Sequence, residues 1–329
     1  MMQRTRSLFA RAASTKPQAT SRTRSSVPGR SGSLYAQDKV LYLFILPGLV
    51  VLLVFNYLPI YGISIAFKDF NPMFGIMGSR WVGLRHFERL WGSMFFWRVL
   101  RNTLVINLMQ LAFGFPAPIV LALLINEVRH RAFKRAVQTI TYLPYFLSWV
   151  VVGGFVVNVL SPTQGLITVI SRLLTGQRST IFLMIEPLAF PWIVVFSNIW
   201  RSVGWGSIVY IAAISSINPE LYEAAVIDGG NRWHQVWHIT VPSIVPTIVV
   251  LLILQVGRFM EANFEQIYIL LNPNVYTTGD VISTFVFREG LSRGNFSYTT
   301  AIGFFQSVVG FMLMVAVNRI TRKLGHSLW

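Results

Sequence analysis

Of the 329 residues, 53% are apolar and only 12% are charged, about half the charge a soluble domain uses to coat its surface. Mean hydropathy is positive, which excludes an ordinary soluble enzyme and a disordered chain and makes lipid the expected solvent. The net charge of +16 lies mostly outside the apolar runs, so it reads as membrane topology rather than as nucleic-acid affinity. With no cysteine, there is no disulfide framework, thiolate metal site or cysteine nucleophile.

Residues 1–39 are basic and rich in Ser and Thr, and the first acid is Asp38. Such a segment fits a cytoplasmic tail touching anionic headgroups or a transit peptide. The tail is preferred, because the topology calls for positive charge there. No short apolar core with a small-residue cleavage site precedes the first apolar run, so a secretory signal is not expected.

A helix crossing the hydrocarbon core needs ~20 apolar residues. Charge-free windows run over 40–67, 102–126, 136–171, 233–257 and 294–318, and 187–219 is interrupted only by Arg201. These predict an all-α membrane protein with six spans, near 42–66, 102–126, 136–160, 190–214, 242–268 and 297–318; only helix satisfies its own backbone in lipid. The fifth is expected to run on through Arg258 toward Tyr268. Pro47, Pro59, Pro116, Pro118, Pro144, Pro191 and Pro246 lie in or near the spans and predict local kinks. Sixteen basic residues fall on the side of the two termini and nine on the other, which predicts that both termini are cytoplasmic. The basic loops of the opposite side suit either an acidic substrate or lipid headgroups. The expected organisation is a tail at 1–39, a six-span bundle at 40–323 and a short tail at 324–329.

Several chemistries lack their residues. No Lys follows a Gly, so there is no Gly-Lys-Ser/Thr phosphate loop, and ATP hydrolysis by this chain alone is not expected. No catalytic residue is assigned. His234 and His238 are four apart, but Gln235 stands where a metalloprotease needs Glu, so no metal site is expected.

The segment joining the fourth and fifth spans, about 217–241, carries the most information. Asn218 suits an N-cap and Pro219 the first helical position, with Glu220 at the positive helix end. Ala224 and Ala225 keep one face thin, Gly229 and Gly230 stop the helix, Asn231 can cap a second short helix, and Pro242 can open the next span. This describes a small-sided helix–turn–helix on the cytoplasmic face, suited either to docking in another protein's groove or to packing on its own bundle.

Glu223-Ala224-Ala225, Gly229 four residues on, then Ile239 and Pro242 separated by two residues resemble the EAA loop of ABC importer permeases; Asp228 and Gly230 fit its usual extension, with Gly for Ala, and Val241 replaces the usual Leu. The chain is similar to that family over most of 40–323. Trp81-Val82-Gly83-Leu84-Arg85-His86-Phe87 with Asn102-Thr103 resembles the segment before the second span of sugar permeases, and Tyr142-Leu143-Pro144 and Ile214-Ser215-Ser216-Ile217-Asn218 are similar too. Asn263-Phe264-Glu265-Gln266-Ile267-Tyr268, Asn272-Pro273 and Asp280-Val281-Ile282 resemble the branch that imports oligosaccharides and polysaccharide fragments, which includes alginate importers. The resemblance implies a type I ABC importer permease fold with the loop as coupling helix in a cleft of an ATPase subunit, where Glu223 meets a basic residue. It also implies a second permease chain, two ATPase subunits carrying ATP and Mg, an extracytoplasmic sugar-binding protein, a carbohydrate substrate and a place in the bacterial inner membrane. No cofactor is expected on this chain.

Charges at membrane depth are costly and usually face a bundle interior or a cavity. Gln255, Arg258, Glu261 and Glu265, spaced 3, 3 and 4 apart, would form one helix stripe. The stripe reads as the polar wall of a sugar pathway, or as an internal Arg258–Glu261 salt bridge that fixes packing. Arg201, between Trp200 and Trp205, is open to the same two readings. An ion-gradient-driven carrier or channel would favour an inverted repeat, which is not evident, and a non-transporting scaffold would not need the charges.

Overall fold

The computed structural model describes residues 39–161, 165–175 and 183–323. The expected tails up to residue 38 and over 324–329, with Arg178, lie outside the described residues. Two compact units are distinguished, one ending at Pro59 and the other beginning at Ile60.

The fold is all-α apart from one antiparallel pair, Lys68–Asp69 with Arg80–Trp81, which places Lys68 opposite Trp81. Four helices among the described residues are long and apolar enough to cross a membrane: Tyr42–Phe67, Met94–Glu127, Arg232–Gly257 and Phe296–Arg322. A bent pair, Arg131–Phe146 with Trp149–Val159, makes a fifth if counted as one span. The helix Phe190–Ser215 coincides with the expected fourth span, and its 26 residues reach about 39 Å at helical rise. Ser197, Asn198, Arg201 and Ser202 dilute its apolar character.

In the unit ending at Pro59, the helix Lys39–Leu52 leads into a π turn, Leu53–Tyr57. Tyr42 to Pro59 are exposed and almost all apolar, a surface that suits lipid and not water.

Three π turns share one cause. Leu53–Tyr57, Gln110–Gly114 and Val236–Thr240 end just before Pro59, Pro116 and Pro242. In each, the residue preceding the proline donates its N–H five residues back: Leu58 to Leu53, Phe115 to Gln110 and Val241 to Val236. A proline has no N–H, and its ring crowds the carbonyl four residues back. Widening one turn lets the helix continue, so these prolines bend their helices without ending them.

Two expected spans are not continuous. The third, expected over 136–160, breaks between Phe146 and Trp149, and its halves meet at 104°. Pro144 opens the 3₁₀ turn Leu143–Phe146, Leu147 and Ser148 are extended, and the Ser148 side chain caps the next helix at Val151 N–H. The break frees the Leu147 carbonyl, which the Arg201 guanidinium takes with two donors at 3.0 and 3.1 Å. The fifth, expected over 242–268, stops at Gly257, and a new helix, Phe264–Leu270, starts behind the cap Asn263. The carbonyls freed between them are also taken: Asn107 donates to Phe259 at 2.6 Å, and Gln306 donates to Met260.

Within the unit from Ile60, the helix Met94–Glu127 runs past three clusters. Phe96 and Val99 pack with Leu90, Met260, Ile282 and Tyr298 near its start. Ile106 packs with Phe190, Val194, Ile267 and Leu270, and Ala122 packs with Tyr210, Ile214 and Ile244 toward its end. In lipid there is no hydrophobic drive between helices, so close packing and small residues hold them together. Gly204 shows this: a Cβ there would collide with the Thr141 carbonyl, so only glycine lets these two helices approach.

Candidate functional site

The loop after Phe190–Ser215 forms as its residues dictate. Asn218 accepts from the Glu220 N–H at 3.1 Å and starts the helix Pro219–Ile227, with proline in its first turn. Gly229 has φ of +80°, the left-handed conformation that glycine adopts without penalty. Gly230 N–H then bonds Ala225 O at 2.7 Å, and Gly229 N–H bonds Val226 O at 3.1 Å. This pair is the Schellman closure, and it satisfies two of the helix's last carbonyls. Asn231 caps the next turn by accepting from His234 N–H at 2.8 Å.

That next turn is not a separate short helix. Through the π turn at Val236–Thr240, it is continuous with the apolar helix over Arg232–Gly257. The loop is therefore joined directly to one end of a span. One contact joins the two arms and another joins the loop to a neighbouring helix. Tyr222 Oη and Thr240 Oγ1 are 2.9 Å apart, and Arg232 pairs with Glu127 at 2.8 Å. The ion pair is partly exposed, so its strength is modest, and its use is to hold the loop against the end of Met94–Glu127.

Glu223, Ala224, Asp228, Gly229 and Pro242 are exposed, and Ala225, Gly230 and Ile239 are half-buried. The Glu223 side chain makes no hydrogen bond or ion pair among the described residues. Ile227 is 86% exposed and Trp233 is 72% exposed, large apolar groups on the same loop as the free Glu223 carboxylate. A concavity of about 390 Å³ between the arms is lined by Ala224, Ala225, Gly229, Gly230, His234 and Ile239, among others. The His234 and His238 rings stack with centroids 4.1 Å apart; among the described residues no group of three metal-ligating side chains occurs.

The intramembrane charges are placed differently from the expected stripe. Gln255 is in the last turn of one helix, Arg258 and Glu261 lie in the break, and Glu265 is in the first turn of the next. All four are exposed, and their side chains make no hydrogen bond or ion pair among the described residues. The internal Arg258–Glu261 salt bridge is therefore not formed. Arg201 sits on the bend of the third span, with its guanidinium 4.7 Å from the Trp149 ring centroid and 5.2 Å from that of Tyr145. Trp205 stacks on Tyr145 at 4.7 Å, and Trp200 on Phe155 at 5.5 Å. Arg201 and both tryptophans thus pack around this bend.

Sequence reasoning missed a buried polar chain. Gln266 donates to Val194 O and Ser197 Oγ, Asn198 donates to Gln266, and Gln110 donates to Asn198. It also missed Asp280, which is fully buried and held bidentately by Arg288 at 2.6 and 3.2 Å. Burial works to lower the Arg288 pKa, but the hydrogen bond and charge of Asp280 outweigh it and hold the pKa above its ordinary value. The available signal was an amide or carboxylate within an otherwise apolar stretch.

Residues 114–326 match the family described as binding-protein-dependent transport system inner membrane component. The chain belongs to this family. It is 46% identical to the polygalacturonan/rhamnogalacturonan transport system permease protein YteP of Bacillus subtilis, over 88% of this chain and 90% of that one. It is 42% identical to protein LplB of the same organism, over 87% and 90%. It superposes with a TM-score of 0.82 on a chain of a bacterial ABC transporter involved in the import of the acidic polysaccharide alginate, at 42% identity, covering 88% of this chain and 98% of that one. A second structure, the alginate transporter with a periplasmic protein bound to an alginate pentasaccharide, gives 0.83 at 40% identity, covering 91% and 99%. The chain is a permease subunit of a binding-protein-dependent ABC importer, which sets aside the ion-gradient carrier and the scaffold.

Proposed function

We propose that this permease imports oligosaccharides or polysaccharide fragments, with acidic polyuronides as the cargo class, and that the segment 217–241 is its coupling loop. The first part is supported by the relatives, whose names specify polygalacturonan, rhamnogalacturonan and alginate. The observation that carries the second is the unpaired Glu223 carboxylate on a small-sided helix that is tied, through a rigid glycine turn, to a helix continuous with a span. In this reading Pro219–Ile227 seats in a cleft of an ATPase subunit, with Ala224 and Ala225 allowing close approach and Glu223 meeting a cation. Asp228, Gly229 and Gly230 shape the turn, and Ile239 and Pro242 pass its displacement into the span. Closure of two ATPase subunits on ATP and Mg then switches the bundle between outward-open and inward-open states.

One such chain supplies half of a pathway, so a second permease chain, two ATPase subunits and an extracytoplasmic sugar-binding protein complete the assembly. The termini are cytoplasmic, with a basic tail over 1–39, the permease domain over 40–323 and a short tail at 324–329. Arg258, Glu261, Glu265 and Gln255 are exposed polar groups on and beside the break in the fifth span, free to meet sugar hydroxyls. The test is uptake of labelled oligogalacturonate and oligomannuronate by vesicles holding the whole complex. ATP-dependent uptake that requires the binding protein is expected; uptake driven by an ion gradient without ATP would refute the proposal.

A further inference from the structure

A second polar site lies far from the coupling loop. Arg98 is in the first turns of the helix Met94–Glu127. Glu127, at its other end, is the residue that pairs with Arg232 of the loop. Helical rise separates Arg98 from Glu127 by about 44 Å, more than the hydrocarbon thickness, so the two sites serve opposite faces of the membrane.

At this far end, a cavity of about 400 Å³ is lined by Arg89, Arg98, Arg288 and Arg293, by one acid, Glu289, and by aromatic rings that include Tyr276 and Tyr298. The arginines come from two stretches of chain, 89–98 and 288–293. Two already have carboxylates: Arg288 holds Asp280, and Arg293 pairs with Glu289. Arg89 and Arg98 have none among the described residues. Arg89 lies 4.6 Å over the Tyr298 ring, and Arg98 lies 5.1 Å over the Phe95 ring. The Arg98 Nε is buried without an acceptor.

Arg89 is exposed beside the half-buried Arg98, and it is the buried, unmet Nε donor of Arg98 that is costly. A bound anion relieves that cost, and a planar guanidinium fork matches a carboxylate. The cavity volume, about a dozen waters' worth, exceeds what a single small ion needs and leaves room for a saccharide residue.

We propose that this cavity is an anion-selective subsite on the extracytoplasmic side, in which Arg89 and Arg98 bind the carboxylate of a uronate residue during delivery. This rests on the reading of an acidic saccharide cargo and adds where, and by which residues, the acid is recognised.

The experiment uses the whole complex in proteoliposomes. Uptake is measured for trigalacturonate and trimannuronate, each as free acid and as methyl ester. The readout is the ratio of acid to ester uptake within each variant, which cancels differences in protein amount. Losing one charge-assisted contact is expected to lower that ratio about tenfold in Arg98→Gln or Arg89→Gln. Arg98→Lys, which keeps the charge and loses the fork, is expected to recover part of it. If Arg98→Gln does not assemble, Arg89→Gln, at a more open position, carries the test.

A ratio unchanged in every variant refutes the subsite. So does a change that vanishes in vesicles of phosphatidylcholine alone, which would assign the cavity to anionic lipid. Weaker docking of the unliganded binding protein to the variants, with the ratio unchanged, assigns it to that protein and likewise overturns the proposal. If the unaltered complex takes up none of the free acids, the cargo reading itself fails, a result separate from any variant.

Discussion

Gly229 offers the sharpest test of the coupling loop, because its cost can be isolated. Its φ of +80° puts it in the left-handed region, and no atom lies within 4 Å of where a Cβ would stand. A side chain there meets no neighbour, so the penalty is conformational. For a β-branched residue it is about 2 kcal/mol, a factor of about 30 at room temperature. Relaxing out of that conformation would forfeit the two closing bonds, Gly230 to Ala225 and Gly229 to Val226, and re-aim the helix Pro219–Ile227. The proposed coupling role therefore predicts that Gly229→Val weakens ATPase docking by about that factor and uncouples hydrolysis from uptake, with the spans intact. Gly229→Asn is the control, since Asn tolerates the left-handed region, and it is expected to retain most of the activity. Gly230→Ala fails for a different reason: its Cβ would stand 2.8 Å from Ala225 O and 3.2 Å from a His234 ring carbon. The assays are ATPase stimulation by loaded binding protein, and uptake at matched protein level. Wild-type coupling in Gly229→Val, or equal loss in Gly229→Val and Gly229→Asn, would refute the reasoning.

Other variants separate structural from functional roles. Glu223→Lys is expected to reduce co-purification of the ATPase subunits and saccharide-stimulated hydrolysis while leaving the detergent melting temperature unchanged; normal co-purification would remove Glu223 from the docking surface. Arg201→Ala leaves the Leu147 carbonyl without its two donors and is expected to destabilise the chain by about 2 kcal/mol, read as a lower melting temperature; a changed KM at unchanged stability would return Arg201 to the pathway. Gly204→Leu is expected to abolish assembly, because the Thr141 backbone occupies the space a side chain needs; a folded variant would show that the helices can separate there. Arg258→Ala is expected to lower uptake at an unchanged protein level, and the swap Arg258→Glu with Glu261→Arg is expected not to restore it, since the two side chains do not pair; full recovery would favour a packing role.

The caps and the glycine turn of the 217–241 loop were legible residue by residue because the interactions that form them are short in sequence, whereas its tie to Glu127, 105 residues from Arg232, was not. Asn218 caps two residues on, Asn231 three residues on, and the Gly230 N–H reaches back five residues to Ala225. The approximate positions of the apolar runs were legible for a related reason: lipid penalises each charge wherever it falls in a span. The breaks were not. Proline at 144 and glycine at 257 are equally compatible with a gentle kink, and what allows a full break is a donor for the freed carbonyl. Those donors are Arg201, 54 residues from Leu147, and Asn107, 152 residues from Phe259. The same holds for the arginine cavity, where Arg89 and Arg98 read as loop charges until the fold brings Arg288 and Arg293 beside them. Composition and local pattern thus determined the solvent, the all-helical class and the caps and turn of the 217–241 loop. Only tertiary packing decided where the helices stop, because a backbone group can leave its own helix only where a distant side chain is waiting to bond it.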